Sequence, residues 1–560
     1  RRATLRALCL LAATAAIVAP TTASQAATVT AASDSQAETV APTTANQATA
    51  ASRSAADQTT TNQTHEEIQV ATGFRAVDIV AADGAVLKAN VIEPTTAGRH
   101  PAIVFVNSWG LNDAEYLAQA GAFAQAGYTV LSYTTRGFWG SGGQIDTAGP
   151  KDIADVSTVL DWLVANTAAD PAHIGLAGVS YGAGIGLIAS AFDPRIRAVA
   201  AMSGWTDLVE SLYGNNTRRP QAAFLLAALA QLTGHPSAEL TTNLADYFAN
   251  RDVEAVKAWG RVRSAATYLD AINANHPAIL MANAYGDSLF APNQLVDFFT
   301  RLTTPKRLEL AAGDHAVVEA TGLLGLDNHV WTSVRRWFDQ YLSNVDTGIA
   351  TEPPVVLRVR EGGTVEQYAD WAHVSRSTTR YGLQSVPPLT GTGALGTATS
   401  GWSQTIWTGL DTTADAGVAL LSGGLEALDG VPPVDWLPSV SRVNGAVWQS
   451  GALGSGAAVR GIPRLHLALR NAPATGTVVA YLYDVDWTGT GRLIDHAPVT
   501  WTAPVTGALD VALPATAYDV PAGHRLALVL DTQDPLYLGA NALATPITLT
   551  GPSWLDIPLK

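Results

Sequence analysis

Ser180 stands in Gly178-Val179-Ser180-Tyr181-Gly182, directly after the apolar run 174–177 and directly before the small-residue stretch 183–191. Small residues around a serine at a strand-to-helix junction suit a sharp turn, whose backbone is strained and whose neighbours crowd it. A hydroxyl raised on such a turn sits at the head of a helix, where backbone N–H groups can stabilise negative charge. Serine is a poor nucleophile near neutral pH. It needs a base to take its proton and an acid to hold that base in the right tautomer.

In chain order those partners should follow as acid, then histidine. The run 278–282 leads into Asn283-Ala284-Tyr285-Gly286-Asp287, which makes Asp287 the expected acid. The run 307–310 leads into Ala311-Ala312-Gly313-Asp314-His315, which makes His315 the expected base. Asp270 is a weaker acid candidate because its helical setting faces solvent, and Asp314 lies too near the histidine in sequence. His329, at the start of a later helical pattern, is expected to cap or pack there. The oxyanion of an acyl-transfer intermediate needs donors. The backbone N–H of Tyr181 is one, and Asn107-Ser108-Trp109-Gly110 should give the other, with Trp109 favoured by position and Ser108 next. The glycine-rich loop 136–143 lacks the Lys-Ser/Thr ending of a phosphate loop, so it is expected to be structural.

Positioning these residues requires a sheet. Runs 74–80 and 85–92 are expected as antiparallel edge strands joined at Asp83-Gly84. Buried strands are expected at 102–106, 129–133, 174–177, 199–202, 278–282 and 307–310, with helical patterns between them at 116–126 and 153–166. That alternation predicts an α/β domain over 67–347, mostly parallel, with its chemistry at the strands' C-terminal ends. Helical patterns alone fill about 205–272, which predicts a cap over the sheet. From 348 to 560 period-two runs take over, as in Leu465/Leu467/Leu469 and Leu526/Leu528/Leu530, separated by Gly- and Pro-rich turns. An all-β sandwich of jelly-roll type is expected there.

Composition narrows the class. With 33 Lys and Arg against 48 Asp and Glu, the net charge of -15 would repel a phosphate backbone, so no nucleic-acid partner is expected. Arg1, Arg2 and Arg6 precede the apolar stretch 7–19 and a run of small residues, the order of a secretory signal peptide over 1–27. The Ala/Thr/Ser/Gln-rich stretch 28–66 is expected as a linker. Export to the extracellular space or cell wall is therefore expected, with no membrane-spanning segment after cleavage. Cys9 is the one cysteine and falls in the leader, so a mature chain would carry no thiol, disulfide or Cys-zinc site. No metal or other cofactor is expected, since no two histidines lie at ligand spacing with a carboxylate.

Taken together, the elbow, Tyr285-Gly286-Asp287, Gly313-Asp314-His315, Arg136-Gly137 with Ser141-Gly142, and Arg336-Trp337-Phe338 resemble one known group. It is the Xaa-Pro dipeptidyl-peptidase family, with the related acyl esterases of the cocaine-esterase type. Pro353-Pro354-Val355 and Val520-Pro521-Ala522-Gly523-His524-Arg525-Leu526 resemble the ends of that family's C-terminal jelly roll. The resemblance implies an α/β-hydrolase fold and a serine hydrolase acting through an acyl-enzyme on a small peptide or acyl ester, with the dipeptidyl peptidase foremost and the esterase as alternative. The sequence departs from the family in two places. Trp109 stands where relatives usually carry an oxyanion-binding tyrosine, so an indole or backbone N–H would replace the phenol. No acidic residue of the cap can be assigned to a substrate's free amino terminus. A separate reading, a carbohydrate-binding surface protein, rests on Trp436, Trp448 and Trp487 in the β region.

Overall fold

Ile103-Val104-Phe105-Val106 is apolar at every position because both faces of its strand are covered. Val104 and Val106 pack into one core with Ile153, Val156 and Leu160, whereas Ile103 and Phe105 pack into another with Phe123, Trp331 and Phe338. Continuous apolar runs of this kind mark parallel strands between two helical layers. A computed structural model describes residues 70–560 apart from 361–362, 389 and 506. The expected signal peptide and linker, Cys9 included, lie outside the described residues.

Ten strands form the first sheet: β1 (Thr72–Val80), β2 (Val86–Pro94), β3 (His100–Val106), β4 (Thr129–Tyr133), β5 (Ala169–Val179), β6 (Ile196–Met202), β7 (Ala278–Ala284), β8 (Lys306–Ala311), β9 (Val355–Arg358) and β10 (Val365–Tyr368). Their order is β1-β2-β4-β3-β5-β6-β7-β8-β9-β10. β1 and β2 are antiparallel as expected, and β3 through β9 run parallel to one another, with β2 and β10 antiparallel at either side. β3 lies between β4 and β5, so the chain reverses its direction of travel across the sheet there. Ligands of open α/β sheets bind beyond the strand ends at such a point. The α/β-hydrolase architecture with a mostly parallel sheet is thus present.

Helices Leu208–Tyr213, Pro220–Thr233, Ala238–Ala249, Val253–Val262 and Leu269–Asn275 fill the segment between β6 and β7 and form the cap. No helix among the described residues is long and apolar enough to cross a membrane.

Beyond β10 strands dominate, as expected, from Ser377–Leu383 to Pro546–Leu559, with the helix Leu421–Asp429 set among them. Leu465, Leu467, Leu469, Leu526, Leu528 and Leu530 all point into a single core, the result of a period of two on one face. β9 and β10 belong to the first sheet although they follow residue 347, because β9 pairs parallel to β8 and β10 folds back on β9. Trp448 is fully buried in the β core, which removes it from any carbohydrate platform; Trp436 and Trp487 are exposed.

The elbow illustrates how closely sequence and packing are matched. A methyl group built on Gly182 would sit 2.1 Å from the Val106 carbonyl oxygen, and one on Gly178 would sit 2.5 Å from the Gly182 carbonyl carbon. Both glycines are required because the helix after Ser180 is pressed against β3 and the turn folds onto itself. Gly182→Ala is expected to cost about 1–3 kcal/mol through overpacking, read as a lower urea midpoint. An unchanged midpoint would contradict this close approach.

Candidate active site

The favoured residues stand past the C-terminal ends of parallel strands. Ser180 follows β5, Asp287 follows β7, His315 follows β8 and Trp109 follows β3. Ser180 adopts φ 56°, ψ -109° as the residue before the helix Tyr181–Ala189. A non-glycine residue held there is strained, and the packing around both glycines keeps it so.

The side chains form a row. His315 Nε2 lies 2.8 Å from Ser180 Oγ, and His315 Nδ1 lies 3.0 Å from Asp287 Oδ2. Asp287 Oδ1 accepts from the backbone N–H groups of Leu289 and Phe290 at 2.9 and 2.7 Å, which fixes the carboxylate and leaves Oδ2 for the imidazole. With the Nδ1 proton directed at Asp287, Nε2 is left to accept the serine hydroxyl. The Phe290 ring stands edge-on to the imidazole at 5.1 Å. All three side chains are buried. Burial lowers the imidazole's pKa, but the charge and hydrogen bond of Asp287, with Glu319 and Asp314 beyond, outweigh it and hold it above its ordinary value.

The rivals have other tasks. Asp270 is exposed. Asp314 binds the backbone N–H groups of Ser288 and His315, both at 2.7 Å, and that of Leu420 at 2.8 Å. It clamps the acid loop, the histidine loop and the β region together. His329 starts its helix, but Asn328 is the cap, accepting from Val330 and Trp331. Burial pushes the His329 imidazole down to about 4. Arg136 is buried and paired with Asp155 at 2.7 Å and Asp83 at 2.8 Å, so its glycine-rich loop is structural.

The oxyanion candidates are placed unequally. Tyr181 opens its helix, so its N–H has no partner one turn back. Its hydroxyl donates to Asp152 at 2.6 Å and accepts from the Ala148 N–H at 2.9 Å, which pins the residue. The Trp109 indole is not available, because it donates to the Leu226 carbonyl of the cap at 2.8 Å. Ser108 is committed too, its N–H donating to Glu115 at 2.7 Å. That leaves the backbone N–H of Trp109, which meets no acceptor among the described residues. Of the two substitutes for a phenol, only the backbone one is open.

Sequence reading missed Asp152, which fixes Tyr181, and Glu319, which lies buried near His315. Burial raises the Asp152 carboxyl to about 8 and that of Glu319 to about 7. Neither has a local signal; each is one acid among many until the chain is folded.

Ser180 opens on a cavity walled by Trp109, Trp205, Leu226, Leu244 and Phe290. Its lining is almost wholly apolar, and its charged lining residue among the described residues is a cation, Arg219, which donates to the Ser288 carbonyl at 3.1 Å.

A strained serine on a strand–helix turn, with sheet, cap and loop order as above, defines a serine-type hydrolase of the α/β-hydrolase fold. Residues 83–317 match the X-Pro dipeptidyl-peptidase (S15 family), and residues 347–554 match the X-Pro dipeptidyl-peptidase C-terminal non-catalytic domain. The chain belongs to that family. Among solved structures, an α-amino acid ester hydrolase is similar at 16% identity, with 90% of this chain and 100% of that one covered and a TM-score of 0.66. An aminopeptidase from a marine sediment Thaumarchaeota archaeon is similar at 15% identity, covering 90% and 99%, with a TM-score of 0.66. A CocE/NonD family hydrolase from Staphylococcus aureus follows at 12% identity, covering 87% and 93%, with a TM-score of 0.65. These likenesses concern the fold. Among curated proteins, an uncharacterized 31.7 kDa protein of Escherichia coli is 27% identical over 129 residues, 23% of this chain and 45% of that protein. The acyltransferase drtE of Aspergillus calidoustus is 32% identical over 140 residues, 24% of this chain and 44% of its own length. The chain thus spans less than half the length of the curated relatives it matches.

Proposed function

We propose that this protein hydrolyses acyl esters whose acyl group is uncharged and largely apolar, with Ser180 as nucleophile, His315 as base and Asp287 as the acid that orients it. Ser180 Oγ bonds to the substrate carbonyl carbon as its proton passes to His315 Nε2. The oxyanion is met by the backbone N–H groups of Tyr181 and Trp109. Nε2 then returns the proton to the departing alcohol, the bond between the acyl carbon and the alcohol oxygen breaks as the carbonyl re-forms, and water repeats the sequence on the acyl-enzyme.

The observation that carries the ester preference is the cavity beside Ser180, apolar and bordered by Arg219 rather than a carboxylate. A dipeptidyl peptidase has to bind a free ammonium, and a guanidinium on the wall repels one. The peptidase remains the second reading, supported by the family's description. A fluorophosphonate probe should label the wild type and not Ser180→Ala. The enzyme should then turn over p-nitrophenyl butanoate far faster than Ala-Pro-p-nitroanilide. Comparable kcat/KM on the two would restore the peptidase, because the anilide is intrinsically much the less reactive.

Export is part of the same proposal, on the strength of the arginines, apolar run and small residues of 1–27. Amino-terminal sequencing of protein recovered from the medium of an expressing bacterium should begin near residue 28. Retention of 1–27 on protein recovered from inside the cell would count against it.

A further inference from the structure

Two residues lining the cavity beside Ser180 each carry a buried polar atom without a hydrogen-bond partner among the described residues: the Thr147 hydroxyl and the Trp259 indole nitrogen. Buried polar atoms are nearly always paired, so each such orphan asks for a partner that arrives later. Their placement is costly. Thr147 and Ala148 both have positive φ, 58° and 55°, and a β-branched residue rarely adopts that region. The turn is held by the Ala148 N–H, which donates to Asp152 and to the Tyr181 hydroxyl, both at 2.9 Å. Strain is thus maintained next to the elbow, at a residue that lines the cavity. Trp259 comes from the cap helix Val253–Val262, its ring stacked on the Arg263 guanidinium at 4.4 Å.

An indole N–H can only donate, and a hydroxyl can donate as well. Leu208, Leu212, Leu240, Leu244 and Val256 line the same space, so the body of a ligand there meets apolar side chains. The complementary ligand has an apolar body and an uncharged oxygen that accepts hydrogen bonds. Arg219 disfavours an ammonium on that body.

We infer that Thr147 and Trp259 form a specificity subsite for a second carbonyl in the acyl group, as in N-acylaminoacyl esters and amides, whose amino group is blocked. The inference rests on the reading of Ser180 as nucleophile. It narrows the substrate from apolar acyl groups in general to those with a carbonyl beyond the scissile one.

The test compares p-nitrophenyl pentanoate with the p-nitrophenyl ester of N-acetylalanine, each kcat/KM divided by the ester's own hydroxide-catalysed rate. The wild type should favour the acetylalanyl ester by about a hundredfold, the worth of two buried hydrogen bonds at about tenfold each. Thr147→Val keeps the branched shape and Trp259→Phe keeps a ring on Arg263, so each removes the polar atom alone. Each should bring the ratio down by about tenfold, chiefly through KM. A wild-type ratio near one, or a ratio unmoved in both variants while their melting curves match the wild type, overturns the subsite. Fluorophosphonate labelling separates the two levels: a labelled wild type with a flat ratio sinks the subsite alone, and an unlabelled wild type sinks the nucleophile as well.

Discussion

Ser180→Ala is expected to lower kcat on a p-nitrophenyl ester by about a million-fold, His315→Ala by a similar factor, and the double variant by little more than either. The reason is geometric. With 2.8 Å between Oγ and Nε2, the two atoms share one proton, so removing either ends the same step. What survives is binding in the cavity and the backbone donors of Tyr181 and Trp109. The measurement is steady-state turnover on purified variants, standardised against fluorophosphonate titration of the wild type. If the single losses multiplied in the double variant, the two residues would be acting in separate steps and the proton-sharing row would be wrong.

Asp287→Asn should be the next largest loss, about 10⁴-fold in kcat. Asparagine preserves shape but offers an N–H where the imidazole needs an acceptor, so the histidine is driven to the wrong tautomer. The pH profile adds a directional check. The base must be unprotonated to work, so kcat/KM falls as pH drops through the His315 pKa. In the wild type that pKa is held above its ordinary value, since Asp287 and the neighbouring Glu319 and Asp314 outweigh burial. Removing the Asp287 charge takes away the largest of the raising influences and leaves burial, which lowers the pKa. The acid limb should therefore move to lower pH in Asp287→Asn. A limb that stays in place would assign the imidazole's partner elsewhere.

Much of this arrangement was legible before folding because its constraints are local. The elbow announces itself through Gly178 and Gly182, each excluded from bearing a side chain by atoms a few residues away or on the adjoining strand. Asp287 and His315 are readable because chain order and strand ends fix where an acid and a base can stand. The remainder depends on what the cap does in space. Nothing in Asn107-Ser108-Trp109-Gly110 tells that the indole is tied to Leu226, 117 residues away, or that Ser108 is held by Glu115. Thr147 and Trp259 carry no motif at all; their interest lies in one polar atom each that is unpaired among the described residues, which only a folded structure can reveal. Trp448 reads in sequence much like Trp487, yet one lies in the β core and the other in solvent. Period-two patterning sets faces of strands, and a lone aromatic does not declare which face it takes.

The two strands after residue 347 bear on how this protein could be recombined with others. β9 and β10 close the row of β8, whose backbone would otherwise stand bare at the margin of the hydrolase sheet. An enzyme cut at 347 would offer that margin to any passing chain, a recipe for precipitation. Chimaeras that exchange the downstream part are better joined past Tyr368, so that the graft brings no hydrolase strands with it. The natural seam for shuffling therefore falls some twenty residues later than the change in sequence texture suggests.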